Sequence, residues 1–453
     1  MQPRRPNSDN RSNLNVQNEN RTSSMVTSIP KSIVASTTPQ LLQRALNKTR
    51  QFIFNKFPIR LLCFNSDGTG IRLIERGEAW SKISMAMELD FDEIQMESDI
   101  RRKELNYSKR PKFLGNATDA VIAEFCSNYQ KYAILSHTWI QGSPGEVTYG
   151  DWKTNSFDKH SIGYQKLENF CRVAATEYDL YVGLMDTVCI NKTSSSELDE
   201  SIRSMYNWYK SAAVCITFLA GTTSIEQMQH DLWFTRGWTL QELIAPQHMS
   251  FYSKAWTKLV PGVDDDRIQV EIGRQIYEAT TITQSEIARV QKTGFKDFRV
   301  SRRMQWAANR QVTREEDTAY SLIGIFGVAM SPAYGEGAEH AFIRLVKEIL
   351  NTKANSLLDV INHGVGTCPT PTFSTMRTSL LLASSPRQFL WCAESANLWV
   401  GWFAQSPVTV SSMGLHVRAI IMPGRPIHTG CRHLAPVLHL KLEENIGLQL
   451  PSI

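Results

Sequence analysis

The stretch Trp233-Phe234-Thr235-Arg236-Gly237-Trp238-Thr239-Leu240-Gln241-Glu242-Leu243-Ile244-Ala245-Pro246 sets two tryptophans around an arginine, with one carboxylate a helical turn beyond the second tryptophan. A helix over 238–244 puts Trp238, Gln241 and Glu242 on one face, because residues three and four apart are neighbours. Aromatic rings on that face hold the Glu242 carboxylate against an apolar wall. Such a wall raises a carboxylate's pKa and strengthens its electrostatics. Glu242 is therefore the expected chemical centre of a site. The competing expectation is a structural ion pair between Glu242 and Arg236 or Lys254.

Four short apolar runs must position this stretch: 132–136, 180–185, 213–219 and 249–253. Runs of this kind are buried on both faces of a sheet. Helix-period segments separate them. Tyr164, Leu167, Cys171, Ala174 and Tyr178 mark one helical face, and Leu198, Ile202, Met205 and Tyr209 mark another. Ser196-x-x-Asp199 reads as a capping box with Asp in place of Glu. Strand–helix alternation at this spacing predicts an α/β fold, a parallel sheet with helices on both faces. In such sheets ligands bind beyond the carboxyl ends of strands, at a topological switch point. Ser136-His137-Thr138-Trp139 follows the first run and Asp186-Thr187 the second, so a pocket is expected there.

The remaining chain divides by composition. Residues 1–50 contain no aromatic residue and carry eight Lys/Arg against two Asp/Glu, which predicts a disordered basic tail. Residues 56–130 hold a strand and turn, with a hairpin partner at 71–74, then a charged insertion. The segment 131–260 contains the regular alternation. Residues 261–375 are expected to be a helical accessory region, with Thr313-Arg314-Glu315-Glu316 as a capping-box start and Ala338, Phe342, Leu345 and Ile349 on one helical face. Residues 376–453 alternate apolar and polar positions between Gly, Pro and Ser, which suggests β structure.

Composition narrows the function classes. The net charge of +5 resides in the first 50 residues, leaving the body near neutral, so a nucleic-acid-binding body is disfavoured. No run approaches the ~18 apolar residues of a membrane helix, and the start lacks a secretory apolar core. The eight cysteines form no C-x-x-C pair and no zinc spacing, and are expected to be reduced thiols. A cytoplasmic protein without a metal site is the expectation.

Tyr132-Ala133-Ile134-Leu135-Ser136-His137-Thr138-Trp139, Asp186-Thr187-Val188-Cys189-Ile190-Asn191-Lys192 and Arg236-Gly237-Trp238-Thr239-Leu240-Gln241-Glu242-Leu243-Ile244-Ala245-Pro246 resemble, in order and spacing, the three signature blocks of the fungal heterokaryon-incompatibility (HET) domain. Ser204-Met205-Tyr206-Asn207-Trp208-Tyr209 fits between the second and third blocks. Ile140, Gly183-Leu184 and Asn191 depart from the family pattern. Glu316-Asp317-Thr318-Ala319-Tyr320 and Tyr334-Gly335-Glu336-Gly337 resemble the accessory region that often follows the domain. The HET domain is itself similar to the flavodoxin-like TIR domain. Trp238-x-x-x-Glu242-Leu243 stands where TIR domains carry an aromatic-x-x-Glu-Leu pattern, one residue longer here. In enzymatic TIR domains that glutamate serves cleavage of NAD at the nicotinamide–ribose bond.

The resemblance thus implies a trigger of cell death on non-self recognition. NAD or a related nucleotide would be substrate rather than resident cofactor, and Glu242 would be catalytic. Cleaving that bond builds positive charge on the ribose, which a nearby carboxylate stabilises. Trp139 or Trp238 would stack a ring of the nucleotide, and Asp186 or Ser136 would bond ribose hydroxyls. Arg236 would meet the pyrophosphate; His137 and Thr187 adjoin these positions. No Gly-x-Gly-x-x-Gly fingerprint occurs, which disfavours redox use of a dinucleotide. The alternative is a non-enzymatic domain that self-associates and recruits incompatibility partner proteins.

Overall fold

The computed structural model describes residues 38–108, 116–142, 145–351 and 383–390, and four short strands between 409 and 441. Its centre is one six-stranded sheet. The strands are β1 (Arg60–Cys63), β2 (Arg72–Glu75), β3 (Ala133–His137), β4 (Val182–Leu184), β5 (Val214–Phe218) and β6 (Met249–Tyr252), in the spatial order β2-β1-β4-β3-β5-β6. The four runs read from the sequence are β3 to β6, adjacent and parallel as expected. β3 and β6 are buried at every position. This explains why they read as continuous apolar runs rather than alternating ones.

The expectation of a wholly parallel sheet is corrected. β1 pairs antiparallel with both β2 and β4, so the sheet is mixed. Between β1 and β2 the cause is local, a turn too short for the crossover that parallel pairing requires; the β1–β4 pairing joins segments distant in sequence. That turn includes Gly68 at φ +82, where a Cβ would come within 2.4 Å of the Arg172 Cα.

Helix Ile162–Tyr178 carries the chain from β3 to β4. Ser161 caps it by accepting from the Tyr164 N–H, and Leu167, Phe170, Cys171 and Ala174 pack inward. Helix Ser195–Ser211 leads from β4 to β5; its cap is Ser194, which accepts from the Glu197 N–H, rather than the expected Ser196 and Asp199 pair. Helix Thr239–Ile244 leads to β6. In chain order the four parallel strands lie second, first, third, fourth. The connections therefore diverge between β3 and β5, and the crevice at their carboxyl ends is the place such sheets use for ligands.

Two other expectations change. Helix Thr38–Asn55 begins inside the segment assigned to the tail, so that assignment fails for residues 38–50. Ala45, Thr49 and Ile53, each four residues apart, are fully buried, and Ala45 joins Met87, Ile122 and Cys126 in a small second core. Residues 1–37 lie outside the described residues. The charged insertion is helical at Arg76–Leu89, Glu93–Ser108 and Ala117–Ser127.

Beyond β6, helices run through Val270–Thr280, Gln284–Thr293, Val300–Ala307 and Ala338–Asn351, with shorter turns at Asp317–Tyr320 and Ile323–Phe326. Helix Ala338–Asn351 buries Phe342, Leu345 and Ile349 as its periodicity predicts. The short helix at Asp317–Tyr320 has no side-chain cap, so the expected capping box at Thr313 does not form. One hydrophobic core joins these helices to the sheet. They seat closely on helix Ser195–Ser211, since a Cβ at Gly324 would come within 2.2 Å of the Tyr206 Cβ. In the region expected to be β-rich, Thr409–Ser411 pairs with Gly414–His416 and Ile420–Met422 with His439–Lys441, both antiparallel. Most of 376–453 lies outside the described residues. Among the described residues no helix is long and apolar enough to cross a membrane.

Candidate active site

Glu242 sits in the middle of helix Thr239–Ile244, which the fold holds at both ends. Arg310 donates to the Arg236 carbonyl at 2.8 Å and to Thr239 Oγ1 at 2.9 Å, fixing the start. Arg267, itself buried and paired with Asp265, donates to the carbonyls of Leu243 at 2.6 Å and Pro246 at 2.9 Å, fixing the end. The carboxylate is 8% exposed and accepts a 2.5 Å hydrogen bond from Ser136 at the carboxyl end of β3. Ser136 Oγ in turn accepts from Trp233 Nε1 at 2.7 Å. Trp233 is a core residue, and its indole nitrogen orients the serine toward Glu242. Burial raises the Glu242 carboxyl to about 7, against the lowering effect of Ser136; the negative charge of Asp186 adds to the rise. The ion pair with Arg236 or Lys254 is absent.

A second polar cluster lies across the same crevice. Asp186 opens the short helix Asp186–Cys189 after β4. His137 Nε2 lies 3.0 Å from Asp186 Oδ1, and Trp139 Nε1 donates to Asp186 Oδ2 at 3.1 Å. Lys192 Nζ lies 3.6 Å from the same oxygen and 3.4 Å above the Trp139 ring. Burial opposes the Asp186 charge, but Lys192, His137 and Lys166 outweigh it and hold the carboxyl well below its ordinary range. Behind His137, Glu146 Oε1 lies 3.5 Å from Nδ1 and accepts from the Ile140 N–H at 2.9 Å. Lys166 completes the cluster, pairing with Glu146 and donating to the Thr138 carbonyl at 2.9 Å. Burial works against the Glu146 charge, yet His137 and Lys166 bring its carboxyl down to about 2. The two clusters place a near-neutral titrating carboxylate opposite a permanently charged one.

Between them is a cavity of about 310 Å³, a size within the range of small-molecule sites. Six of the eight residues singled out from sequence line it: His137, Trp139, Asp186, Arg236, Trp238 and Glu242. Ser136 and Thr187 are buried and do not line it. Ser136, expected to bond a ribose hydroxyl, donates to Glu242.

The sequence reading missed one whole wall. Val312, Arg314, Asp317 and Tyr334, from the region beyond residue 260, face the cavity. They are docked by a parallel bridge between Arg236 and Gln311, in which Gly237 N–H donates to the Gln311 carbonyl at 2.8 Å and Gln311 N–H to the Thr235 carbonyl at 2.6 Å. Tyr334 donates to Asp317 Oδ1 at 2.9 Å; burial raises the Asp317 carboxyl, with the hydrogen bonds from Trp238 and Tyr334 opposing. Among the described residues no group of three His, Cys, Asp or Glu is arranged to hold a metal ion.

Gly237 permits this docking, because a Cβ there would come within 2.5 Å of Val312 Cγ1. A valine in a packed site has little χ1 freedom with which to yield. Gly237→Ala is therefore expected to push the 311–314 wall away, at a stability cost of about 1–3 kcal/mol. A denaturation midpoint equal to that of the wild type would show that the wall gives way without cost.

No family model and no solved structure matches the chain. It is similar to the vegetative incompatibility protein HET-E-1 of Podospora anserina, with 39% identity over 229 residues, 48% of this chain and 16% of that protein. The chain thus spans about a sixth of the length of the curated relative it matches. This similarity relates it to the proteins of heterokaryon incompatibility.

Proposed function

We propose that this chain is an incompatibility module of the HET type that triggers cell death on non-self recognition in the cytoplasm, by hydrolysing NAD or a related nucleotide. The observation that carries the reading is Glu242: a buried carboxylate held by Ser136, in the wall of a cavity at the carboxyl ends of β3 and β4. The similarity to an incompatibility protein supports the biological role. The order second-first-third-fourth of the parallel strands is that of flavodoxin-like sheets and supports a TIR-like domain.

In this mechanism the glycosidic C–N bond breaks and its electron pair leaves with nicotinamide. Glu242 stabilises the positive charge left on the ribose carbon. Water then adds to that carbon and releases its proton to solvent. Trp139 and Trp238, both on the cavity wall, supply flat apolar surface for a ring. Asp186, His137 and Lys192 hold the opposite side polar.

The test is incubation of the full 453-residue chain with NAD and an assay for free nicotinamide. A fragment ending before residue 311 would lack a cavity wall and is not a fair substrate for the test. Release above that of a Glu242→Gln control supports the reading; equal release from both counts against it.

A second reading is a self-associating scaffold that recruits incompatibility partners. Four large apolar side chains favour it: Met85, Leu89, Ile94 and Leu105 are exposed on the consecutive helices Arg76–Leu89 and Glu93–Ser108. Absence of nicotinamide release, together with an oligomer that dissociates on Leu89→Glu, would promote this reading over the enzyme.

A further inference from the structure

The charged side chains on the cavity wall are not equally engaged. Among the carboxylates, Asp186 accepts from Trp139 and meets His137 and Lys192, Glu242 accepts from Ser136, and Asp317 accepts from Tyr334. Lys192 is taken up by Asp186 and the face of Trp139. Arg236 and Arg314 differ. Among the described residues neither guanidinium makes a hydrogen bond or an ion pair, although both residues line the cavity. Arg236 is half-buried and Arg314 exposed, which puts the pair toward the opening.

The backbone brings the two together. Arg236 is bridged to Gln311, three residues before Arg314, and Arg310 from the same segment grips the Arg236 carbonyl. Arg314 lies with its guanidinium carbon 4.3 Å from the Tyr334 ring centroid. Contact with a ring face occupies the flat side of a guanidinium and leaves its in-plane N–H donors outward. Two forked, permanently charged donor sets at one opening match the oxygens of a phosphate or pyrophosphate, which guanidinium groups bind bidentately. A neutral ligand would leave both forks unused.

We propose that Arg236 and Arg314 together form a phosphate subsite at the opening of the cavity, so that the ligand taken there carries a phosphate or pyrophosphate group. The subsite spans two parts of the chain: Arg236 before β6, and Arg314 in the segment beyond it, whose Arg310 lies 74 residues after Arg236. It deepens the nucleotide reading above and rests on it for the rest of the ligand, but the anion contact stands on the two arginines alone.

The experiment titrates inorganic pyrophosphate into the full chain by calorimetry, with wild type, Arg236→Gln, Arg314→Gln, the double variant and Arg274→Gln. The last is an exposed helical arginine paired with Glu271 and Glu278, far from the bridge in sequence, and controls for net charge. Wild type and Arg274→Gln are expected to bind one pyrophosphate at millimolar probe or below. Each cavity variant should weaken it roughly tenfold, as loss of a charge-assisted hydrogen bond does, and the double variant should abolish saturation. Absence of saturable binding to wild type, or binding that survives the double variant, overturns the subsite. The nicotinamide assay separates the two ideas. Nicotinamide release with an unchanged KM in the double variant sinks the subsite and leaves the hydrolase standing. Arginine-dependent pyrophosphate binding without nicotinamide release does the reverse.

Discussion

Glu242→Gln is expected to lower nicotinamide release by about a hundred- to a thousandfold, the usual effect of removing one well-placed electrostatic stabiliser, while making the protein more stable. Both effects have one origin. The carboxyl is raised to about 7 because burial penalises its charge. Below the ordinary carboxylate range, folded and unfolded chains both carry the proton and the group is neutral in its effect. As pH rises toward 7 the unfolded chain ionises first, so the folded state loses stability; above 7 the penalty is complete, on the order of 3–4 kcal/mol. Glutamine keeps an oxygen to accept from Ser136 and never ionises. The variant's stability advantage should therefore appear between the ordinary carboxylate range and pH 7 and stay constant above it. Wild-type turnover should run the opposite way, rising with pH through about 7 as the charged form appears. In cells, wild-type expression should be toxic and the glutamine variant tolerated. Equal killing at equal protein level removes Glu242 from the mechanism and favours the scaffold.

The sheet was readable because its parallel strands are unbroken apolar runs separated by helix-period segments. What escaped was set by contacts between distant segments. β1 and β2 read as a hairpin, but nothing local says that β1 joins β4 antiparallel. Helix Thr38–Asn55 was hidden because two of its three fully buried positions, Ala45 and Thr49, are not large apolar residues. Among Ser194, Ser195 and Ser196 any could cap a helix, and the register of the chain leaving β4 selects the first. At the site, residues following strands were legible, since strand ends point to a crevice. The wall from Val312, Arg314 and Asp317 was not, because its docking depends on a bridge between residues 75 apart. Glu146 and Lys166 were also missed, although a signal existed. Lys166 stands on the apolar stripe of helix Ile162–Tyr178, between Tyr164 and Leu167 on one side and Phe170 on the other. A lysine in such a stripe demands a buried partner.

That partner makes Lys166→Met the largest expected stability change. Lys166 is 3% exposed, and its ammonium is paired with Glu146 and bonded to the Thr138 carbonyl. Methionine fills similar space but leaves the Glu146 carboxylate buried without its ammonium partner, with His137 as the remaining neighbour. Breaking a buried pair in this way costs about 3–5 kcal/mol, well beyond the effect of a surface substitution. Glu146→Gln combined with Lys166→Met should recover most of the loss, because the pair is then replaced by neutral groups. The pH dependence has a defined sign. In the wild type Glu146 is held down to about 2, so its stabilising contribution is present above the ordinary carboxylate range and is lost as pH falls toward 2. In the single variant only His137 holds the carboxyl down, so it takes up a proton at higher pH. The gap between variant and wild type should therefore be widest near neutrality and close on acidification. The same change removes the Lys166 bond to the Thr138 carbonyl and so loosens the segment that carries His137 and Trp139 on the cavity wall. Pyrophosphate binding at Arg236 and Arg314 should persist in the folded fraction, while nicotinamide release falls. A single variant as stable as wild type at pH 7, by denaturant titration, would mean that water reaches Glu146 and the cluster is not a buried framework for the site.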